Sequence, residues 1–144
     1  MSLPTKEVIL LIFCMDYRSR VPEELKDFNV FELRLPGGPL SSAVLPATVE
    51  AKYQYINFAL EKVNPVKIVL MGHSHCAAAT TIDLDDKGTQ EATLRFAEEV
   101  RIQHPDILIE VMFDPHSECG YHREKPFYLY PQGYRETEAV AEVV

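Results

Sequence analysis

The sequence predicts an α/β fold, a mostly parallel central β-sheet of four to five strands flanked by helices. Three observations carry this. The runs "EVILLIF" (7–13) and "VKIVLMG" (66–72) are apolar without alternation, as strands buried on both faces must be. Stretches of helical periodicity separate the strands, so the chain crosses over between parallel neighbours. Cysteine, histidine and a glycine pair stand just after the apolar runs, at the carboxyl ends of strands where open α/β sheets collect their chemistry.

Each element follows in order. "EVILLIF" is the first strand. In "CMDYRSRVPEELKDF" (14–28), Pro22 with Glu23 and Glu24 marks a helix start, because proline and acidic groups suit a first turn. "NVFELRL" (29–35) alternates and forms the second strand, closed by the sharp loop "PGGP" (36–39). From Ser41 to Val63, the positions Val44, Ala47, Ala51, Tyr55, Phe58, Ala59 and Val63 recur at three and four and give one long helix. "VKIVLMG" is the third strand, "TQEATLRFAEEVRIQH" (89–104) an amphipathic helix and "DILIEVMFD" (106–114) the fourth strand. "KPFYLY" (125–130) reads as a short edge strand, with Tyr128 and Tyr130 as an edge or interface pair, and "RETEAVAEVV" (135–144) as a last helix. With no repeat, linker or low-complexity tract, residues 1–144 are expected to form a single domain.

Composition narrows the function. At 47% hydrophobic and 25% charged, the chain suits a globular protein with a sizeable core. A formal net charge of -8 argues against nucleic acid or an anionic membrane as partner, since both would repel it. No apolar run approaches the roughly 18 residues of a membrane span, and the first residues lack the pattern of a signal peptide. A cytoplasmic protein is expected. Three cysteines, Cys14, Cys76 and Cys119, make a poor disulfide framework and read better as ligands, nucleophiles or core residues.

Three chemistries compete for these residues. Gly72-His73-Ser74-His75-Cys76 after a strand has the context of a serine-hydrolase elbow, with Ser74 as nucleophile and His104, His116 or His122 as base. Against it, Cys76 stands where the elbow needs glycine. Cys14 and Arg20 have the spacing of a phosphate-cleaving cysteine loop, but Asp16 would repel phosphate and raise the thiol pKa. The third reading joins both halves. Zinc takes thiolate and imidazole ligands, and a catalytic site supplies three with one position open. Cys14, His73 and Cys76 offer such a set from two strand ends that could be neighbours. Asp16 and Arg18, two apart, would project to one side of an extended chain as a bidentate pair. His75 reads as a second layer around the site or as pocket wall. His116, Cys119 and His122 are spaced like ligands but read as a loop near the pocket or an interface, because nothing completes a second set.

Taken in order, Cys14-Met-Asp16-Tyr-Arg18, Arg34-Leu-Pro-Gly-Gly and Gly72-His73-Ser-His-Cys76 resemble the β class of carbonic anhydrases, over roughly residues 7 to 80. The resemblance implies that fold, one Zn²⁺ per chain on Cys14, His73 and Cys76, and Asp16 with Arg18 as the catalytic pair. It implies reversible hydration of carbon dioxide to bicarbonate by hydroxide generated at zinc, and a homodimer or higher homo-oligomer. "CAAA" in place of the family's Cys-Gly, and "PGGP" where it often has Ala-Gly-Asn, set this chain apart at the pocket. Relatives with altered entrances hydrolyse carbonyl sulfide or carbon disulfide, which with a non-catalytic zinc-binding homologue makes the alternative function.

Overall fold

The computed structural model describes residues 6–16, 19–114, 127–130 and 133–136. Four parallel strands, β1 (Val8–Cys14), β2 (Asn29–Leu35), β3 (Lys67–His73) and β4 (Leu108–Asp114), are extended by β5 (Phe127–Tyr130) and β6 (Gly133–Glu136), both paired antiparallel. The order across the sheet is β2-β1-β3-β4-β5-β6. The described sheet therefore has six strands where four to five were expected. "KPFYLY" supplies β5, which has a neighbour on each side and is not an edge, and the start of "RETEAVAEVV" pairs as β6. The rest of that segment, and the loop with His116, Cys119 and His122, lie outside the described residues.

The helices are α1 (Ser41–Val44), α2 (Thr48–Lys62), α3 (Ala77–Thr80) and α4 (Asp86–Gln103). Two differ from expectation. The helix proposed after Pro22 is a single 3-10 turn, Glu23–Leu25, before the chain re-enters the sheet at Asn29. The long helix from Ser41 to Val63 is broken between α1 and α2. Pro46 has no N–H and crowds the residue before it, and Leu45 leaves the helical region there, at φ -128° and ψ 89°.

Alternation along β1 divides the core. Leu10 and Ile12 pack with Ile56 and Ala59 of α2 and with Phe96, Ala97 and Val100 of α4. Ile9, Leu11 and Phe13 face the other way, onto Leu25, Val69, Met71 and Met112. Side chains of a strand point alternately to the two faces, so an all-apolar strand needs cover on both.

Lys67, which starts β3, carries a buried ion pair across the sheet. Its Nζ lies 2.6 Å from Glu110 Oε2, with the side chains 13% and 2% exposed. Lys67→Met should cost about 3 kcal/mol, because Glu110 would keep a buried charge without its main compensation. Urea unfolding measures this, and adding Glu110→Leu should recover most of the loss. If Lys67→Met alone is neutral, the pair is not what compensates Glu110.

Candidate metal centre

The strand order makes the site. β1 and β3 are direct neighbours, with Ile12 opposite Leu70, and the same register carried two residues further brings Cys14 level with Gly72. Cys14 ends β1, His73 ends β3, and Cys76 precedes α3 three residues later. The turn between them is tight. His75 takes φ 53°, a left-handed conformation uncommon for a non-glycine residue, and its N–H donates to Asp86 Oδ1 at 2.9 Å from the first turn of α4. This reversal turns His73 and Cys76 towards the same point. The Sγ atoms of Cys14 and Cys76 and a ring nitrogen of His73 all lie within 4.8 Å of one another, and all three residues are buried.

The histidine is oriented from behind. Its Nδ1 lies 2.8 Å from the Ser74 carbonyl, so Nδ1 carries the proton and donates. That tautomer leaves Nε2 as the nitrogen able to take a metal ion, the arrangement that backbone carbonyls impose on metal-bound imidazoles. Cys14 is framed by backbone donors. The N–H of Gly37 points at its Sγ from 3.3 Å and that of Asp16 from 3.5 Å.

Gly37 and Gly38 earn their place in "PGGP". Their φ angles are +79° and +56°, and a Cβ on Gly38 would sit 2.7 Å from the Phe13 carbonyl carbon and 2.8 Å from the Cys14 nitrogen. Only glycine lets the loop lie this close to the end of β1.

The electrostatics favour negative charge at this point. The Cys76 hydrogen bond pulls the Cys14 thiol far below its ordinary value, and His73 and the two amides act the same way against burial. The hydrogen bond that Cys76 shares with Cys14, together with burial, pushes Cys76 up. Burial alone would lower His73, but Cys14 and the nearby Asp16 raise it on balance. Two sulfurs and an imidazole gathered in a pocket that attracts a cation fit zinc, and its borderline-soft chemistry matches this donor set.

The remaining sequence-predicted residues fall as follows. Asp16 is half-buried beside the cluster, near enough to act on His73. Arg18 lies outside the described residues. His75 lines a cleft of ≈ 380 Å³ together with Cys76, Thr80, Leu84, Asp85, Asp86 and Lys87. Ser74 is fully buried, and its Oγ has no hydrogen-bond partner among the described residues; of the candidate bases, His116 and His122 lie outside them.

Arg34 works in a way that spacing does not reveal. Its Nη1 donates to the Ser19 carbonyl at 2.9 Å and to the Cys14 carbonyl at 3.4 Å. Its guanidinium sits 3.9 Å above the Phe13 ring, so it braces the segment that carries Asp16. The fold has solved counterparts. The chain superposes on the β-carbonic anhydrase CcaA with a TM-score of 0.53 at 13% identity, covering 94% of this chain and 79% of that one. For a carbonic anhydrase from Glaciozyma antarctica the values are 0.52 and 13%, with 82% of each chain covered. For a tetrameric β-carbonic anhydrase from the filamentous ascomycete Sordaria macrospora they are 0.50 and 16%, with 94% and 82% covered. No family model matches the chain, and no curated protein matches it in sequence.

The fold is therefore that of the β-carbonic anhydrases, the family that the three motifs resemble. Within it, this chain gathers a Cys-His-Cys cluster able to hold a metal ion. No helix among the described residues is long and apolar enough to cross a membrane.

Proposed function

We propose that this chain is a zinc-dependent carbonic anhydrase interconverting carbon dioxide and bicarbonate, with Cys14, His73 and Cys76 as metal ligands and Asp16 and Arg18 as the catalytic pair. One observation carries the reading: two thiols and an imidazole converge within 4.8 Å at adjacent strand ends of this fold. Zinc held there would lower the pKa of water and so supply hydroxide near neutral pH, the nucleophile that hydration needs. The chain's own residues hold and aim. The Ser74 carbonyl fixes the His73 tautomer, and the amides of Gly37 and Asp16 stabilise the Cys14 thiolate. Asp16 would accept a hydrogen bond from the hydroxide so supplied and orient it towards the carbon, and Arg18 would keep Asp16 ionised. The reading takes residues 1–144 as one cytoplasmic domain working as a homodimer or higher homo-oligomer, and the tetrameric Sordaria macrospora neighbour supports the assembly.

The test is a turnover assay on metal-analysed protein, with carbon dioxide and carbonyl sulfide as substrates. Hydration of carbon dioxide in proportion to zinc content is expected. Turnover of carbonyl sulfide alone would reassign the substrate, and zinc-loaded protein inert to both would leave a metal-binding protein without this activity. Ser74→Ala should keep most of the activity, because its hydroxyl takes no part. A fall of several orders of magnitude with zinc retained would restore the serine-hydrolase reading.

A further inference from the structure

The amine of Lys52 is buried in the core, although lysine is almost never fully buried. The residue is 1% exposed on the inner face of α2, in line with Ile56 and Ala59. Its Nζ donates to the Pro39 carbonyl at 2.9 Å and sits 3.7 Å from the centroid of the Phe96 ring on α4. Burial pulls its pKa down to about 8, with Glu99 acting upward, so it stays mostly protonated at neutral pH. An uncharged side chain of the same length would fill this space without the desolvation of an ammonium.

The Pro39 carbonyl that this ammonium holds belongs to the loop behind Cys14. Pro39 follows Gly37, whose N–H donates to Cys14 Sγ at 3.3 Å, and Gly38, which lies against the backbone of Phe13 and Cys14. The loop has no side-chain cap of its own at Gly37. We propose that Lys52 is a positioning residue for the metal centre: its ammonium pins the Pro39 carbonyl and so holds the Gly37 amide on the Cys14 thiolate. This inference rests on the reading of Cys14 as a metal ligand. Groups that orient a ligand from the next layer out typically change metal affinity by 10–100-fold when removed.

The experiment titrates the metal-free protein with Co²⁺ alone and follows the thiolate-to-cobalt absorption band, in wild type, Lys52→Met, Lys52→Leu and Lys52→Arg. The apolar variants should bind cobalt at least about 10-fold more weakly and shift the band, because the sulfur loses a placed donor. Lys52→Arg, which keeps charge and donor, should return towards wild type. Wild-type affinity and an unchanged band in a folded apolar variant would overturn the proposal. So would loss of folding in both apolar variants, which would make the ammonium an element of stability. Failure of the wild type itself to bind cobalt would instead contradict the metal reading beneath it.

Discussion

Cys76→Ser is expected to abolish stoichiometric metal binding and with it all measurable hydration of carbon dioxide. Serine offers a poor ligand for a borderline-soft dication, and two donors, Cys14 and His73, cannot complete a site that needs three protein ligands. Stability falls with the metal. An ion that binds only the folded chain stabilises it by about 4 kcal/mol when present at about 1,000 times its dissociation constant, and a chain of this size loses roughly 10 °C in melting temperature for that much. The check pairs metal analysis with thermal melts run with and without a chelator. Wild type should drop on chelation, while Cys76→Ser should melt low and ignore the chelator. A variant that retains full zinc would remove Cys76 from the ligand set.

Asp16→Asn separates catalysis from metal binding. The amide keeps the shape of the carboxylate but loses the charge proposed to pair with Arg18 and most of the acceptor strength proposed to aim the nucleophile. Zinc should stay, since Cys14, His73 and Cys76 are untouched, and the rate should fall by roughly 10²-fold or more, as for a lost general-base group. Two thiolates would offset the formal charge of a bound Zn²⁺, so wild-type activity should rise through the mildly alkaline range, above the roughly pH 7 of an all-histidine site. A pH–rate curve and a metal assay on both proteins decide the matter. Full zinc with an unchanged curve would show that Asp16 has no catalytic part.

β1, β3 and β4 were legible because burial on both faces demands apolar runs, whereas β2 was legible by its alternation and has no fully buried residue; all four begin and end within two residues of the stretches read as strands. On α2 the periodic pattern includes the buried Ala59, but Ala51, Tyr55 and Phe58 lie off the buried face. Tyr55 and Phe58 count as apolar in a periodic pattern, yet Phe58 is 55% exposed and the Tyr55 hydroxyl donates to the Glu32 carbonyl at the surface. The buried stripe is Lys52, Ile56 and Ala59. A lysine in that stripe defeats hydropathy, because its polar end finds partners that only the fold assembles. The break at Pro46 stood in plain view but was outweighed by the periodicity around it.

The candidate site was legible as residue types at strand ends, since chemistry-bearing side chains interrupt otherwise uniform runs. What spacing could not supply was adjacency. Cys14 and His73 meet because β1 and β3 pair directly, a matter of sheet order. The backbone donors at Gly37 and Asp16 and the brace from Arg34 depend on tertiary contact and leave no trace in composition.

Metal analysis of the purified protein tests the central claim most directly. The account predicts about one zinc per chain in the wild type, lost on replacing Cys14, His73 or Cys76 and kept on replacing Ser74 or Asp16. A wild type that neither contains zinc nor takes it up, or zinc that survives the loss of Cys14, His73 and Cys76 together, would contradict it.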